Sequence, residues 1–125
     1  MKFASTRLVT NDIERLIAFY TLVTGAEATR LAPAFAEFRL EGATLAISLE
    51  ALVAQFNAGA AVAAANRSAI VEFQVDDVDA VQTRLGDAVD VAMPPADMPW
   101  GNRSMLLRDP DGNVVNIFAR PAAKA

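Results

Sequence analysis

Apolar and polar positions change their period several times along this chain, and each change marks an element. Over FASTRLV, residues 3 to 9, the side chains alternate: Thr6 and Leu8 oppose Ser5, Arg7 and Val9. A period of two predicts a strand. From Asn11 to Thr24 the apolar positions become Ile13, Leu16, Ile17, Tyr20 and Val23, which is helical spacing. Asn11 as N-cap with Glu14 three residues on makes a capping box, and Gly25 is a left-handed stop. A short strand fits near 28 to 31. Strands then follow at 35 to 40 (FAEFRL) and 43 to 49 (ATLAISL), joined by the hairpin-sized turn Glu41-Gly42.

The same order recurs from residue 69. AIVEFQV reads as a strand, Asp76 as an N-cap with Asp79 at the third position, and Val78, Val81, Gln82 and Leu85 as one helical face stopped by Gly86. A short strand fits near 89 to 92. Strands near 103 to 108 and 113 to 119 are joined by DPDG, with Pro second and Gly last, the signature of a type I turn. Asp12 and Asp77 are corresponding landmarks, 65 residues apart. The chain therefore reads as an α+β fold of two βαβββ modules, at about 1–50 and 69–120, in a single domain over 1–125 with a linker at 51–68. That linker region, residues 50 to 68, is Ala-rich. A loosely helical linker and a lid over a cleft both suit it. The closing RPAAKA is expected to be frayed.

Alternation in four strands separates two kinds of face. Leu8, Leu45, Ile47, Leu49, Val71, Phe73, Val75, Val115 and Ile117 form apolar faces suited to covering the helices. The opposite faces mix small, polar and aromatic residues: Ser5, Arg7, Ala46, Ser48, Ile70, Glu72, Gln74, Asn116 and Phe118. Ala46, Ser48, Ile70 and Phe118 suit open water poorly, which favours a ligand cleft with apolar walls and few polar groups. Phe38, Trp100, Arg103 and Met105 are further candidates for its lining, with Phe35 and Phe56 as possible extensions. Trp100, in a loop stiffened by prolines, reads equally as a core plug or as an aromatic wall. Arg7 and Glu72 lie on equivalent strands, and an ion pair between them, polar contact with a ligand, or acid/base catalysis by a buried Glu72 fits. The Asp residues of DPDG and the Asp76-Asp77 pair are read as satisfying turn and helix-end amides, not as acid chemistry.

Composition then removes whole classes of function. The 125 residues are 54% hydrophobic and 21% charged, enough for a packed core. A net charge of -4 with scattered basic residues argues against nucleic acid as a partner. No cysteine and no histidine are present, so thiolate chemistry, disulfides and imidazole metal sites are excluded. No apolar run has the length of a signal peptide or of a membrane span, so a cytoplasmic setting without membrane contact is expected.

Three stretches, RLVTNDIERLIAFYTLVTG, VEFQVDDVDAV and WGNRSMLLRDPDGNVVNIF, together resemble the vicinal oxygen chelate superfamily of glyoxalase I, bleomycin-resistance proteins and extradiol dioxygenases. The resemblance spans nearly the whole chain, is weakest over 50 to 68, and is most specific at RDPDGN. It implies curled mixed sheets around a shared cleft. It also implies metal ligands on the first and last strands of each module. Seven residues before Asp12 and Asp77, where the family places a His, stand Ser5 and Ile70. Four residues after Gly112, where it places a Glu, stands Asn116. The remaining carboxylate position falls at Ala46, or at Ser48 in a register two residues later. No metal and no cofactor is therefore expected. The resemblance implies, as the leading expectation, a metal-free homodimer that sequesters a small aromatic or amphipathic molecule, similar to the bleomycin-resistance branch. A lyase, isomerase or dioxygenase with an atypical site, and a structural or regulatory module with a filled cleft, are the alternatives.

Overall fold

In the computed structural model, which describes residues 1–121, the first alternating stretch forms β1 (Ser5–Thr10). It leads through a tight corner into α1 (Ile13–Thr24). At that corner the Thr10 hydroxyl accepts from the Asp12 amide at 3.1 Å, and Asp12 then caps the helix by accepting from the Arg15 amide at 3.1 Å. The N-cap is thus Asp12 and not Asn11: the buried Thr10 fixes where the strand ends, which leaves Asn11 one residue too early. Gly25 closes the helix in the left-handed conformation (φ 70°), as its position predicts. The chain continues through β2 (Thr29–Ala32), β3 (Phe35–Arg39), β4 (Thr44–Leu49) and α2 (Glu50–Phe56).

The second half repeats this order. β5 (Ile70–Gln74) is followed by α3 (Val78–Leu85), a 3-10 turn at Gly86–Ala88, β6 (Asp90–Asp97), β7 (Arg103–Arg108) and β8 (Val114–Ala119). Here too the cap lies one residue later than the sequence suggests. Asp77, not Asp76, accepts from the Ala80 amide at 3.1 Å. β6 runs five residues beyond its expected end and passes through Pro94 and Pro95. It is an edge strand with two register shifts, where missing N–H donors are tolerated.

The chain divides into two units, Met1–Asn66 and a second beginning at Arg67. Each contains one four-stranded mixed sheet, in the order β1-β4-β3-β2 and β5-β8-β7-β6. In each, the first and last strands pair in parallel and the others antiparallel. The fold class is therefore the expected α+β pair of βαβββ modules. Of the linker region, residues 50–56 are helical. The fraying expected of the closing segment concerns residues 122–125, which lie outside the described residues. Among the described residues no helix is long and apolar enough to cross a membrane.

One face of each sheet is closed by its helix. In the first unit Leu8, Ala36, Phe38, Leu45 and Ile47 are buried on the side of Leu16, Phe19 and Tyr20 of α1. The Tyr20 ring lies edge-on to Phe19 (5.0 Å) and reaches Phe38 (6.3 Å). In the second unit Met105, Leu107, Val115 and Ile117 are buried on the side of α3, whose Val78 and Leu85 are buried as well. Three expected lining residues belong to these helix-covered faces. Phe38 pairs with Leu45 and is fully buried. Met105 pairs with Ile117 and is 1% exposed. Arg103 shares the Met105 face and is held by α3 and β6, its Nε and Nη2 donating to Asp79 and its Nη1 to Asp97. All three are structural, and the assignment of Phe38, Arg103 and Met105 to a ligand lining is corrected accordingly.

Candidate functional site

Trp100 apart, the candidate site residues that remain lie on the two sheet faces turned away from α1 and α3. Each face is taken in its own unit.

On the first sheet this face runs Ser5, Arg7 and Val9 on β1, Thr44, Ala46 and Ser48 on β4, and Phe35, Glu37 and Arg39 on β3. Strands lie about 4.8 Å apart, so β1 and β3 stand about 10 Å from each other across β4. Arg7 spans that gap: its guanidinium carbon lies 5.9 Å from the centre of the Phe35 ring. The reach requires small residues beneath it, and β4 supplies Ala46 and Ser48. The Arg7 Nη2 also donates to the Asn57 side chain at 2.9 Å. Asn57 is the C-cap of α2, so this bond sets the end of α2 on the Arg7 side of the sheet. Ala46 and Ser48 are buried (2% and 0% exposed), whereas Ser5 and Arg7 are exposed. The Ser48 hydroxyl makes no hydrogen bond.

On the second sheet the corresponding face carries Ile70, Glu72 and Gln74 on β5, Val114, Asn116 and Phe118 on β8, and Ser104, Leu106 and Arg108 on β7. Asn116 sits directly opposite Glu72, and its amide nitrogen donates to the Glu72 carboxylate at 2.8 Å. A carboxylate only accepts, so this bond orients the amide with nitrogen toward Glu72 and oxygen away from it. That oxygen is buried and without a hydrogen-bond partner. Gln74 accepts from Arg120 at 3.4 Å, and Arg120 also lies 5.5 Å from the Phe118 ring centre. Ile70 is 54% exposed, a large apolar side chain open to water. Arg7 and Glu72 each take an amide of their own unit as partner.

Trp100 is 68% exposed, which excludes a role as core plug. It tops the hairpin between β6 and β7, where the Met98 amide donates to the Asn102 carbonyl (2.7 Å) and the Gly101 amide to the Met98 carbonyl (2.9 Å). Gly101 has φ 97°, a conformation that favours glycine, and a Cβ there would meet Pro121 Cγ tightly at 3.1 Å. The DPDG turn is architectural, as expected. Asp109 accepts from the Asp111 and Asn113 amides and from the Asn113 side chain (2.7 to 2.9 Å), and Gly112 takes φ 82°.

The repeat settles the register left open in the sequence. The offset that carries Asp12 to Asp77 carries Arg7 to Glu72, and their partners are Ala46 and Asn116. Ala46 is thus the counterpart of Asn116, and Ser48 that of Phe118. The metal that members of the superfamily hold at these positions finds poor donors at Ser5, Ala46, Ile70 and Asn116. Ala46 and Ile70 have no donor atom in their side chains, and Ser5 and Asn116 offer only neutral oxygens where the superfamily places an imidazole and a carboxylate. Among the described residues no group of three or more acidic side chains is placed to hold a metal ion. The residues present do not fit a bound metal ion.

Three charged groups elsewhere are shifted by their partners. Arg103 holds the Asp79 carboxyl below the usual aspartate value, and Asp79 and Asp97 in turn raise the guanidinium. Arg30, at 2.6 Å, does the same for Glu14. Both pairs are exposed and belong to the scaffold. Sequence reading passed over Asn57, Ser104 and Leu106. For the latter two the signal was available, because counting back from the DPDG turn pairs Leu106 with Asn116 and Ser104 with Phe118.

A family model described as Glyoxalase/Bleomycin resistance protein/Dioxygenase superfamily matches residues 2–117. Among solved structures, a glyoxalase/bleomycin resistance protein/dioxygenase from Nocardioides is 26% identical with a TM-score of 0.81, over 99% of this chain and 86% of that one. A glyoxalase-related enzyme from Fulvimarina pelagi is 24% identical with a TM-score of 0.81, over 95% and 88%. TioX from Micromonospora sp. ML1 is 22% identical with a TM-score of 0.71, over 96% and 99%. The last two likenesses speak for the fold alone. No curated protein matches the chain.

Proposed function

The chain belongs to the Glyoxalase/Bleomycin resistance protein/Dioxygenase superfamily, and on that premise we propose that it is a metal-free small-molecule-binding protein that sequesters its ligand without chemistry. The observation that carries the reading is a pair of orphaned polar atoms. The Ser48 hydroxyl and the Asn116 amide oxygen are buried without partners, and both sit on the sheet faces that α1 and α3 leave uncovered. Each such atom costs about 1–3 kcal/mol relative to a bonded one. On either sheet, a bound molecule with a hydrogen-bonding group of its own, reaching that atom as the covering side chains shift, would offset that cost. On the first sheet Phe35 stands opposite Ser48, and on the second Leu106 stands opposite Asn116 with Ile70 and Phe118 on the same face, so each face offers apolar surface for an aromatic or amphipathic body. Ser5 and Arg7 supply polar contacts at the margin of the first face, and Glu72 and Gln74 at that of the second.

The protein works as a homodimer in this reading, and its setting is the cytoplasm. Nucleic acid and membrane surfaces play no part, in keeping with the net charge of -4. The exposed Trp100 indole, on its stiff turn, is an aromatic contact for the ligand and a reporter of its arrival. The test is a thermal-shift screen of aromatic and amphipathic compounds, with each hit repeated by tryptophan fluorescence. The expected result is hits that also change the emission of the one Trp and lose stabilisation in Trp100→Ala. Hits indifferent to that substitution would remove Trp100 from the site.

A further inference from the structure

We infer that Arg7, Phe35 and Ser48 form a carboxylate-binding site, held shut in the ligand-free protein by Asn57 of α2. The inference rests on the small-molecule-binding reading and names the ligand class for the first sheet.

The guanidinium of Arg7 has five N–H donors. Its hydrogen bond is to a neutral amide, Asn57 Oδ1, and among the described residues it makes no ion pair. The carboxylate on the same face, Glu37, is paired with Arg39 at 3.0 Å, so its charge is already answered. Arg7 is therefore a cation presented on an apolar floor, over Phe35, with an amide as placeholder. Beneath its reach lies the Ser48 hydroxyl, fully buried and without a partner. An unmatched guanidinium, an orphaned hydroxyl donor and an aromatic ring on adjacent strands are the complement of a carboxylate attached to a flat apolar body. The acid accepts from Arg7 in the two-bond fork geometry and from Ser48, and the body lies against Phe35.

The placeholder is weakly held. α2 is seven residues long, lacks a side-chain N-cap and buries Val53 alone. Helices this short have little stability of their own. α2 leaves Phe56 exposed at its end, and the segment after it has two alanines at positive φ, Ala58 and Ala64 (both 56°), and exposes Val62. It is tied back where the Ala63 amide donates to Glu50 at 3.0 Å. Strained backbone and few anchors mark a segment that opens at low cost. A carboxylate that replaces Asn57 on Arg7 frees the end of α2 and uncovers Ser48.

The experiment compares three probes of one shape by calorimetry on the full chain: 2-naphthoate, 2-naphthamide and 2-naphthylmethylamine. Naphthoate is expected to bind at least about tenfold more tightly than either of the others, since a charged pair replaces a neutral contact. Arg7→Gln should lose that preference. Ser48→Ala should weaken naphthoate several-fold, and Asn57→Ala should tighten it by removing the competing internal partner. Circular dichroism confirms that each variant folds. Amide or amine binding as tightly as the acid overturns the carboxylate site and leaves small-molecule binding standing. So does naphthoate binding that Asn57→Ala weakens. Failure of all three probes on a protein that gives hits in the wider screen overturns the carboxylate site alone, and failure in that screen as well removes both readings.

Discussion

Asn116→Asp tests the best-defined contact of the candidate site with a change of one atom group. In the parent the Asn116 amide nitrogen donates to Glu72 at 2.8 Å. In the variant two carboxylates meet. If they relax to about 4 Å apart, their repulsion is about 1 kcal/mol in water-like surroundings and about 4 kcal/mol at an effective dielectric of 20. Glu72 is exposed and Asn116 half-buried, so the lower part of that range applies. With the lost hydrogen bond to a charged group included, the variant should be roughly 2–3 kcal/mol less stable at pH 7. For a chain of this size that is a fall in Tm on the order of 10 °C. The cost has a pH signature. Two carboxyls in contact raise the pKa of one of them, so the folded variant binds a proton that the unfolded chain does not. Its deficit must shrink as pH falls through that raised value. The parent controls the comparison. Arg103 and Arg30 hold Asp79 and Glu14 below ordinary carboxyl values, so both stay ionised at pH 5. Asn116→Leu is the counterpart: it removes the donor and the orphaned oxygen together, and should cost under about 1 kcal/mol. Urea unfolding of parent and both variants at pH 7 and pH 5 reads all of this. An Asn116→Asp variant as stable as the parent at pH 7, or one whose deficit is unchanged at pH 5, would refute the Glu72–Asn116 contact and the amide orientation built on it.

Three further outcomes are expected. Phe38→Ala should cost about 3–5 kcal/mol in urea unfolding, as loss of a core aromatic, whereas Ile70→Ala on the exposed face should stay within about 0.5 kcal/mol; comparable losses would put Ile70 in the core. In the parent, the Asp79–Arg103 pair contributes stability at neutral pH that is lost as pH falls below the ordinary aspartate value of about 3.9 and through the lowered folded one. Arg103→Met should therefore flatten the acid limb of the stability curve, and an unchanged limb would show that the pair is not formed. Light scattering at micromolar concentration should give about twice the 13.3 kDa chain mass, and a monomer would count against the proposed dimer.

Much of the scaffold was legible because its signals are local. Gly25, the Glu41-Gly42 turn and the DPDG turn each require a particular backbone, and each takes it. The caps were missed by one residue for a local reason as well. Asn11-Asp12 and Asp76-Asp77 both offer two adjacent capping side chains, and the choice depends on where the strand before them ends. Errors at the candidate site came from register. Face assignment by alternation succeeds for β1, β4, β5 and β8. It was not carried through the hairpins to β3 and β7, where Phe38, Arg103 and Met105 prove to face the helices. Counting across the turn at Glu41-Gly42 pairs Phe38 with Leu45, so that error was avoidable. The Arg7–Asn57 bond was not readable. It depends on α2 turning back over the sheet, and nothing in the Ala-rich stretch specifies the direction.

The central claim is that this chain binds a small molecule without a metal, and one measurement addresses it directly. Protein treated with EDTA and dialysed is screened against aromatic and amphipathic compounds by thermal shift, with and without added Zn(II), Ni(II), Mn(II) or Fe(II). A ligand that binds only the native state raises Tm by mass action, by about 2.7 kcal/mol of stability at a hundredfold excess over Kd. The account predicts hits in the metal-free protein whose shifts are unchanged by any of the four metals. Hits that appear only when a metal is added would contradict it.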